Sequence, residues 1–220
     1  MLICEELFLL LTRDDGKAES AYAQNGYGLA AAAVTDLILA GRVGLSDDKD
    51  PRVRVLAPPP AGHPVLDAVL TRLADKDGRK LSTVVTDRKV NPADQVVDAL
   101  AAAGIIGVEE KRALGLVPAK YPLRDPAPEQ AVRQRLAAVL AGAPPQPADA
   151  TLLAILQGLD LAPKVLEQEK GGLDKKQLKA RIEQVTRDVP AGSAVAKAVQ
   201  AMNAAIMTAV IIPVVVSGSS

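Results

Sequence analysis

A mainly α fold, a single helical domain carrying small β-hairpins, is predicted by three features of the sequence. Hydrophobic residues make up 49% of the chain and aromatics only 2%, with no Trp and one Phe, so the core is built from Ala, Val, Leu and Ile. Ala and Leu are strong helix formers. Apolar residues also recur at helical spacing, as in the stripe Val65, Leu66, Val69, Leu70 and Leu73. Third, a helix, a glycine stop and two short β-type runs occur twice. Val34, Leu37, Ala40, Gly41, Val43, Gly44 and Leu45 recur as Val97, Leu100, Ala103, Gly104, Ile106, Gly107 and Val108. A chain of 220 residues is ample for one buried core.

The elements follow in order. Ile3–Leu11 has helical periodicity, and Asp14-Asp15-Gly16 is a turn signal. Gly26 and Gly28 are expected to break the next segment, leaving a helix over Leu29–Ala40 with Gly41 as its left-handed stop. Val43–Leu45 and Arg52–Leu56 predict a first hairpin around Ser46–Pro51. The proline run at 58–60 is a stiff connector to a helix over Val65–Leu73. Helices over Leu81–Val85 and Val96–Ala103 come next. A second hairpin is expected from Ile105–Val108 and Ala113–Val117, looping through Glu109–Arg112. The two helix-plus-hairpin units, at about 29–56 and 93–123, are expected side by side. From 129 to 212 the chain reads as helices only: Glu129–Ala141, Ala148–Leu159, Lys175–Arg187 and Ser193–Ile212. The domain is expected to span 1–216, with 217–220 as a disordered tail.

Composition narrows the function. Lys+Arg equals Asp+Glu at 26 each, which leaves no cationic surplus for a general nucleic-acid binder. Cys4 is the only cysteine and sits in an apolar helix, where it reads as a small buried hydrophobe. No intrachain disulfide can form, and the N-terminus lacks the basic start of a signal peptide, so a cytoplasmic protein is expected. The most apolar run, Ala204–Val216, is 13 residues and contains Pro213. A spanning helix needs roughly 20 apolar residues, so this run is read as a buried helix. His63 is the only histidine and has no ligand or nucleophile partner nearby in sequence. No phosphate loop, nucleophile elbow or zinc-binding histidine pair is present, so neither an enzyme, a metal nor a cofactor is expected. The usage of Ala, Val, Arg, Asp and Pro is that of a GC-rich bacterial genome.

The opening run Glu5–Leu11, then Asp14–Lys17, then Gly28–Arg42, resembles the start of the Golgi phosphoprotein 3 family of peripheral membrane adaptors. Val65-Leu66-Asp67 with Leu70, Val96–Ile106, Tyr121-Pro122-Leu123, Leu152–Leu156 and Lys179–Ile182 are similar to later family segments in the same order. The resemblance implies a flat membrane-facing side, a pocket for phosphatidylinositol 4-phosphate and a lipid-touching second hairpin. In eukaryotic members the adaptor holds glycosyltransferase tails in the Golgi. The family's pocket uses one Trp and three Arg, and by spacing these positions fall here on Ala21, Ala30, Val90 and Ala93. Alanine and valine offer a phosphomonoester none of the charge-assisted hydrogen bonds that Arg gives. Tyr22, Arg88 and Lys89 stand beside the lost positions as candidate head-group ligands. On the second hairpin, Lys111, Arg112, Leu114 and Leu116 are candidate membrane contacts, because cations beside exposed aliphatics suit an anionic interface.

The implied partners are an anionic phospholipid or phosphatidylinositol 4-phosphate, a protein partner, and a second copy of the chain. Placement is expected in the cytoplasm, peripheral on the inner face of the cell membrane. Two other functions compete. Helix plus hairpin is also the sequence pattern of a winged-helix nucleic-acid binder, with Arg52 and Arg54 on the wing. Against it, the helix at 29–40 offers Thr35 and Asp36 but no Lys or Arg. A soluble interaction scaffold is the other, since Ala-rich faces suit close helix packing. The basic cluster Lys170, Lys175, Lys176, Lys179 and Arg181 is expected to be a solvated helix face.

Overall fold

The computed structural model describes residues 1–20, 22–48, 50–109, 119–188, 199–201 and 204–206, with the backbone alone for 22–24. It is mainly α, with one small antiparallel sheet. The centre is a pair of helices, α1 (Ile3–Leu10) and α2 (Tyr22–Leu39). Both are apolar on every side over much of their length, as a core helix must be. All of α1 is buried, as are Leu29–Ile38 of α2. A first hairpin follows, β1 (Val43–Leu45) and β2 (Val53–Val55). Then come α3 (Pro64–Ala74), α4 (Leu81–Thr86) and α5 (Ala93–Ala102). The C-terminal part holds α6 (Ala127–Leu140), α7 (Pro147–Gly158), α8 (Ala162–Val165) and α9 (Lys175–Asp188). Helices α3 and α4 pack on α2, helix α5 packs on α1 and α3, and α6 and α7 pack on α1. Helix α9 covers α6 and α7.

The apolar stripe predicted for α3 is the buried face observed: Val65, Leu66, Val69, Leu70 and Leu73. Helix α2 departs from the prediction, since it runs unbroken through Gly26 and Gly28. The reason is space. A Cβ on Gly28 would stand 3.0 Å from Leu159 Cδ1, 3.2 Å from Ile155 Cγ2 and 3.3 Å from Leu7 Cδ2. Glycine lowers helix propensity by about 1 kcal/mol relative to Ala, and here it lets α2 close onto α1 and α7. Gly28→Val is therefore expected to lower stability by about 1–3 kcal/mol through overpacking, read as a shifted denaturant midpoint. An unchanged midpoint would mean that this contact is loose.

The sequence repeat is a structural one at its helix ends. Gly41 has φ +66° and Gly104 φ +73°. Gly41 N–H bonds to Ile38 O and Arg42 N–H to Leu37 O; Gly104 N–H bonds to Ala101 O and Ile105 N–H to Leu100 O. These are the paired bonds of the glycine stop that satisfies the last helical carbonyls. Each stop feeds a hairpin. The first pairs Val43 with Val55, Gly44 with Arg54 and Leu45 with Val53. The second differs from expectation: Ile106 bridges Leu123 and Glu109 bridges Lys120, so the described returning arm is Lys120–Leu123. The expected arm Ala113–Val117 lies outside the described residues, as do most of the helix expected over Ser193–Ile212 and the tail. Helices α2 and α5 both pack on α1 and α3 rather than chiefly on each other.

Buried charges tie the helices together. Asp36 on α2 accepts from the N–H groups of Ile3 (2.9 Å) and Cys4 (3.1 Å), capping α1 from a neighbouring helix. Burial pushes its carboxyl up to about 6. Arg135 on α6 grips Glu6 of α1 with both Nη atoms (3.1 and 2.9 Å) and Asp149 of α7 with Nε (2.9 Å). Arg133 joins Glu129 (2.7 Å) to Glu169 (3.0 Å).

Candidate functional site

The candidate head-group residues lie on a turn between α4 and α5. Asp87 opens it: its Oδ1 accepts from Lys89 N–H (2.8 Å), and Val90 N–H bonds to Asp87 O (2.9 Å). The Lys76 ammonium, bonded to the Asp87 side chain, holds that carboxyl below the usual range. Asn91 closes the turn, accepting at Oδ1 from Ala93 N–H (3.0 Å), while Arg72 Nη1 donates to Asn91 O (3.1 Å). Arg88 and Lys89 project from this braced loop and are exposed. The turn abuts the first turns of α2, where a Cβ on Gly26 would stand 2.6 Å from Asn91 Nδ2. Tyr22 begins α2, one turn earlier; its side chain lies outside the described residues. The structure thus brings the 88–91 turn and the start of α2 together. Asp87 and Asn91 were missed in the sequence, although Asp and Asn are turn formers and a Lys lies between them.

The four positions where the resemblance places the family's pocket residues behave differently. Ala30 and Val90 are fully buried, Ala93 is nearly so, and Ala21 lies outside the described residues. Apolar side chains at Ala30, Val90 and Ala93 fill the core and leave no polar group there.

The base of the second hairpin is firmly seated. Gly107 N–H bonds to Pro122 O (2.8 Å), Tyr121 N–H to Gly16 O (2.9 Å), and the Tyr121 ring meets Phe8 edge-on at 5.6 Å. Gly16 has φ +79°, and a Cβ there would stand 2.6 Å from Pro122 N, so only glycine fits this crossing. Lys111, Arg112, Leu114 and Leu116 lie outside the described residues.

Other candidates resolve into structure. The basic cluster is largely spent: Lys170 pairs with Glu167 (2.8 Å), Lys175 with Asp160 (3.2 Å) and Lys179 with Glu183 (4.0 Å). Arg181 donates to Val139 O (2.7 Å) and Leu140 O (3.1 Å), covering the open carbonyls at the end of α6. His63 is the N-cap of α3, accepting from Val65 N–H at Nδ1 (3.3 Å), with Nε2 3.4 Å from Glu5. Cys4 is fully buried, and burial raises its thiol pKa, so it is no nucleophile. A hollow of about 550 Å³ beside the first hairpin is lined by Asp48, Asp50, Arg52, Lys80 and Ser82. Its charges already answer one another, Lys80 with Asp50 (3.6 Å) and Arg52 with Asp48 (3.9 Å). Among the described residues no cluster of His, Cys, Asp and Glu could hold a metal ion, and no helix is long and apolar enough to cross a membrane.

No curated protein matches the chain. A model of the Golgi phosphoprotein 3 (GPP34) family does, over residues 3–202, from the first residue of α1 to beyond α9. The match takes in the paired central helices, both glycine-stopped hairpins and the C-terminal helices, so the chain belongs to the Golgi phosphoprotein 3 family.

Proposed function

We propose that this protein is a non-enzymatic peripheral membrane adaptor, which meets anionic phospholipid with the 88–91 turn and the second hairpin while holding a protein partner. The observation that carries it is the braced turn, which holds two exposed cations, Arg88 and Lys89, against the start of α2. Family membership supports the adaptor role. With Ala30, Val90 and Ala93 packed into the core, selective capture of a phosphomonoester has no arginine at those positions. The lipid reading is therefore electrostatic: negative surface potential draws in cations at about 1 kcal/mol each. The protein partner, or a second copy of the chain, would use surfaces away from the lipid.

The test is sedimentation with vesicles of phosphatidylcholine alone, with phosphatidylserine added, or with phosphatidylinositol 4-phosphate at matched charge. Binding is expected to both anionic mixtures equally and to weaken with salt. Arg88→Gln with Lys89→Gln is expected to lower it by roughly thirtyfold, two cations at about 1 kcal/mol each. Preference for the phosphoinositide at matched charge would show a dedicated head-group pocket. No sedimentation with strongly anionic vesicles would end the lipid reading and leave a soluble scaffold.

A further inference from the structure

We propose that the outer face of the first hairpin is a second lipid-contacting surface, where Arg42, Arg54 and Leu56 meet an anionic membrane. This rests on the adaptor reading above but uses none of its residues. The register defines the face. Val43 and Val53 point into the core, so Gly44 and its cross-strand partner Arg54 point outward. Leu56 lies over Gly44, its Cδ1 3.4 Å from where a Cβ would be, and its N–H bonds to Arg42 O. On the other side of β2 the chain at 78–80 extends the ladder, with Val53 N–H bonding to Arg79 O and Gly78 N–H to Val53 O. A Cβ on Gly78 would stand 3.7 Å from Arg54 Nη1. Arg54 therefore lies between two glycines, with Leu56 beside it on the same face and the Asp77 carboxylate at the strand edge, where it accepts from Val55 N–H (2.9 Å).

The charges on this face are unequal. Arg52 and Lys80 are engaged by Asp48 and Asp50. Among the described residues Arg42 and Arg54 have no ion pair. Leu56 is 63% exposed, and Leu39, at the end of α2 leading to Arg42, is 44% exposed. A single exposed leucine is ordinary. Leu56 stands beside Arg42 and Arg54, which have no ion pair among the described residues, so on this face apolar burial and attraction to anionic head groups add. A nucleic acid would use the arginines but not the leucines, and the neutral chain offers it no wider cationic field.

The test uses the full chain and phosphatidylcholine vesicles containing phosphatidylserine. Arg42→Gln with Arg54→Gln is expected to weaken sedimentation by roughly thirtyfold, and Leu56→Ser by several-fold. Melting temperature should hold to within a few degrees, because Arg54 and Leu56 are exposed and Arg42 is half-exposed. Unchanged binding by the double variant, while the wild type sediments and the Arg88/Lys89 variant does not, would overturn this surface and leave the adaptor reading standing. No sedimentation of the wild type would overturn both. Loss of binding to a DNA duplex in the double variant, with vesicle binding intact, would reassign the face to nucleic acid and also overturn it.

Discussion

Replacing Arg135 with alanine is expected to destabilise the fold by about 3 kcal/mol, with a fall in melting temperature of roughly 6–12 °C for a chain of this size. The argument is what the substitution leaves behind. Glu6 and Asp149 are buried, on different helices, and both take their charge compensation from this one guanidinium. Their combined pull, Glu6 first, lifts the Arg135 pKa beyond its already high ordinary value. Without it, two carboxylates face each other in an apolar surround, and one must take up a proton or draw in water. Breaking a buried pair costs about 3–5 kcal/mol, and the Arg135 side chain is 36% exposed, which puts the expectation at the lower end. Arg135→Lys should restore little, since an ammonium cannot reproduce the fork that holds Glu6 by two bonds and Asp149 by a third. Urea unfolding of the single variants and of Glu6→Gln with Arg135→Met would separate the charge from the packing. A loss below about 1 kcal/mol for Arg135→Ala would mean that water already reaches the triad.

This triad shows where the sequence was silent. Local signals placed the helices well: the stripe on α3, the stops at Gly41 and Gly104, and the stretch from Leu29 to Leu39 were all legible. Each of them depends on residues within one or two turns. The misreadings involve partners far along the chain. Gly26 and Gly28 looked like breakers because the side chains they admit, Asn91, Ile155 and Leu159, lie more than sixty residues away. The described returning arm of the second hairpin, Lys120–Leu123, is set by its ladder with Ile106 and Glu109, while the run at 113–117 lies outside the described residues. Arg135 and Glu6 are 129 residues apart. On the site, Arg88 and Lys89 were readable as cations beside lost pocket positions. The brace that presents them, Asp87, Lys76, Arg72 and Asn91, became visible only once α3 and the turn before α5 were brought together.

Raising the pH from about 3 to about 7 is expected to stabilise Asp36→Asn relative to the wild type by about 3 kcal/mol. Asp36 is buried, and that burial raises its carboxyl from 3.8 to about 6 against the opposing pull of the Ile3 and Cys4 N–H groups. The Cys4 thiol also lowers it, and the Glu5 carboxylate raises it further. Below 3.8 Asp36 is protonated in both the folded and the unfolded chain, so it contributes no pH dependence. Between 3.8 and about 6 the unfolded chain releases a proton that the native state retains, so wild-type stability declines as pH rises through that window. Above about 6 both states are ionised and the decline stops. Asparagine has no such titration and, like the protonated carboxyl in acid, offers one carbonyl oxygen to the two N–H groups that open α1. It is therefore expected to gain on the wild type as the pH rises. Asp15 and Asp87, whose carboxyls are lowered by lysines, titrate with the opposite sign. The difference between the two proteins in urea, rather than the wild-type curve alone, is the quantity to follow. A difference that stays flat with pH would show that the hydrogen bonds from α1 outweigh burial and keep Asp36 an ordinary carboxylate.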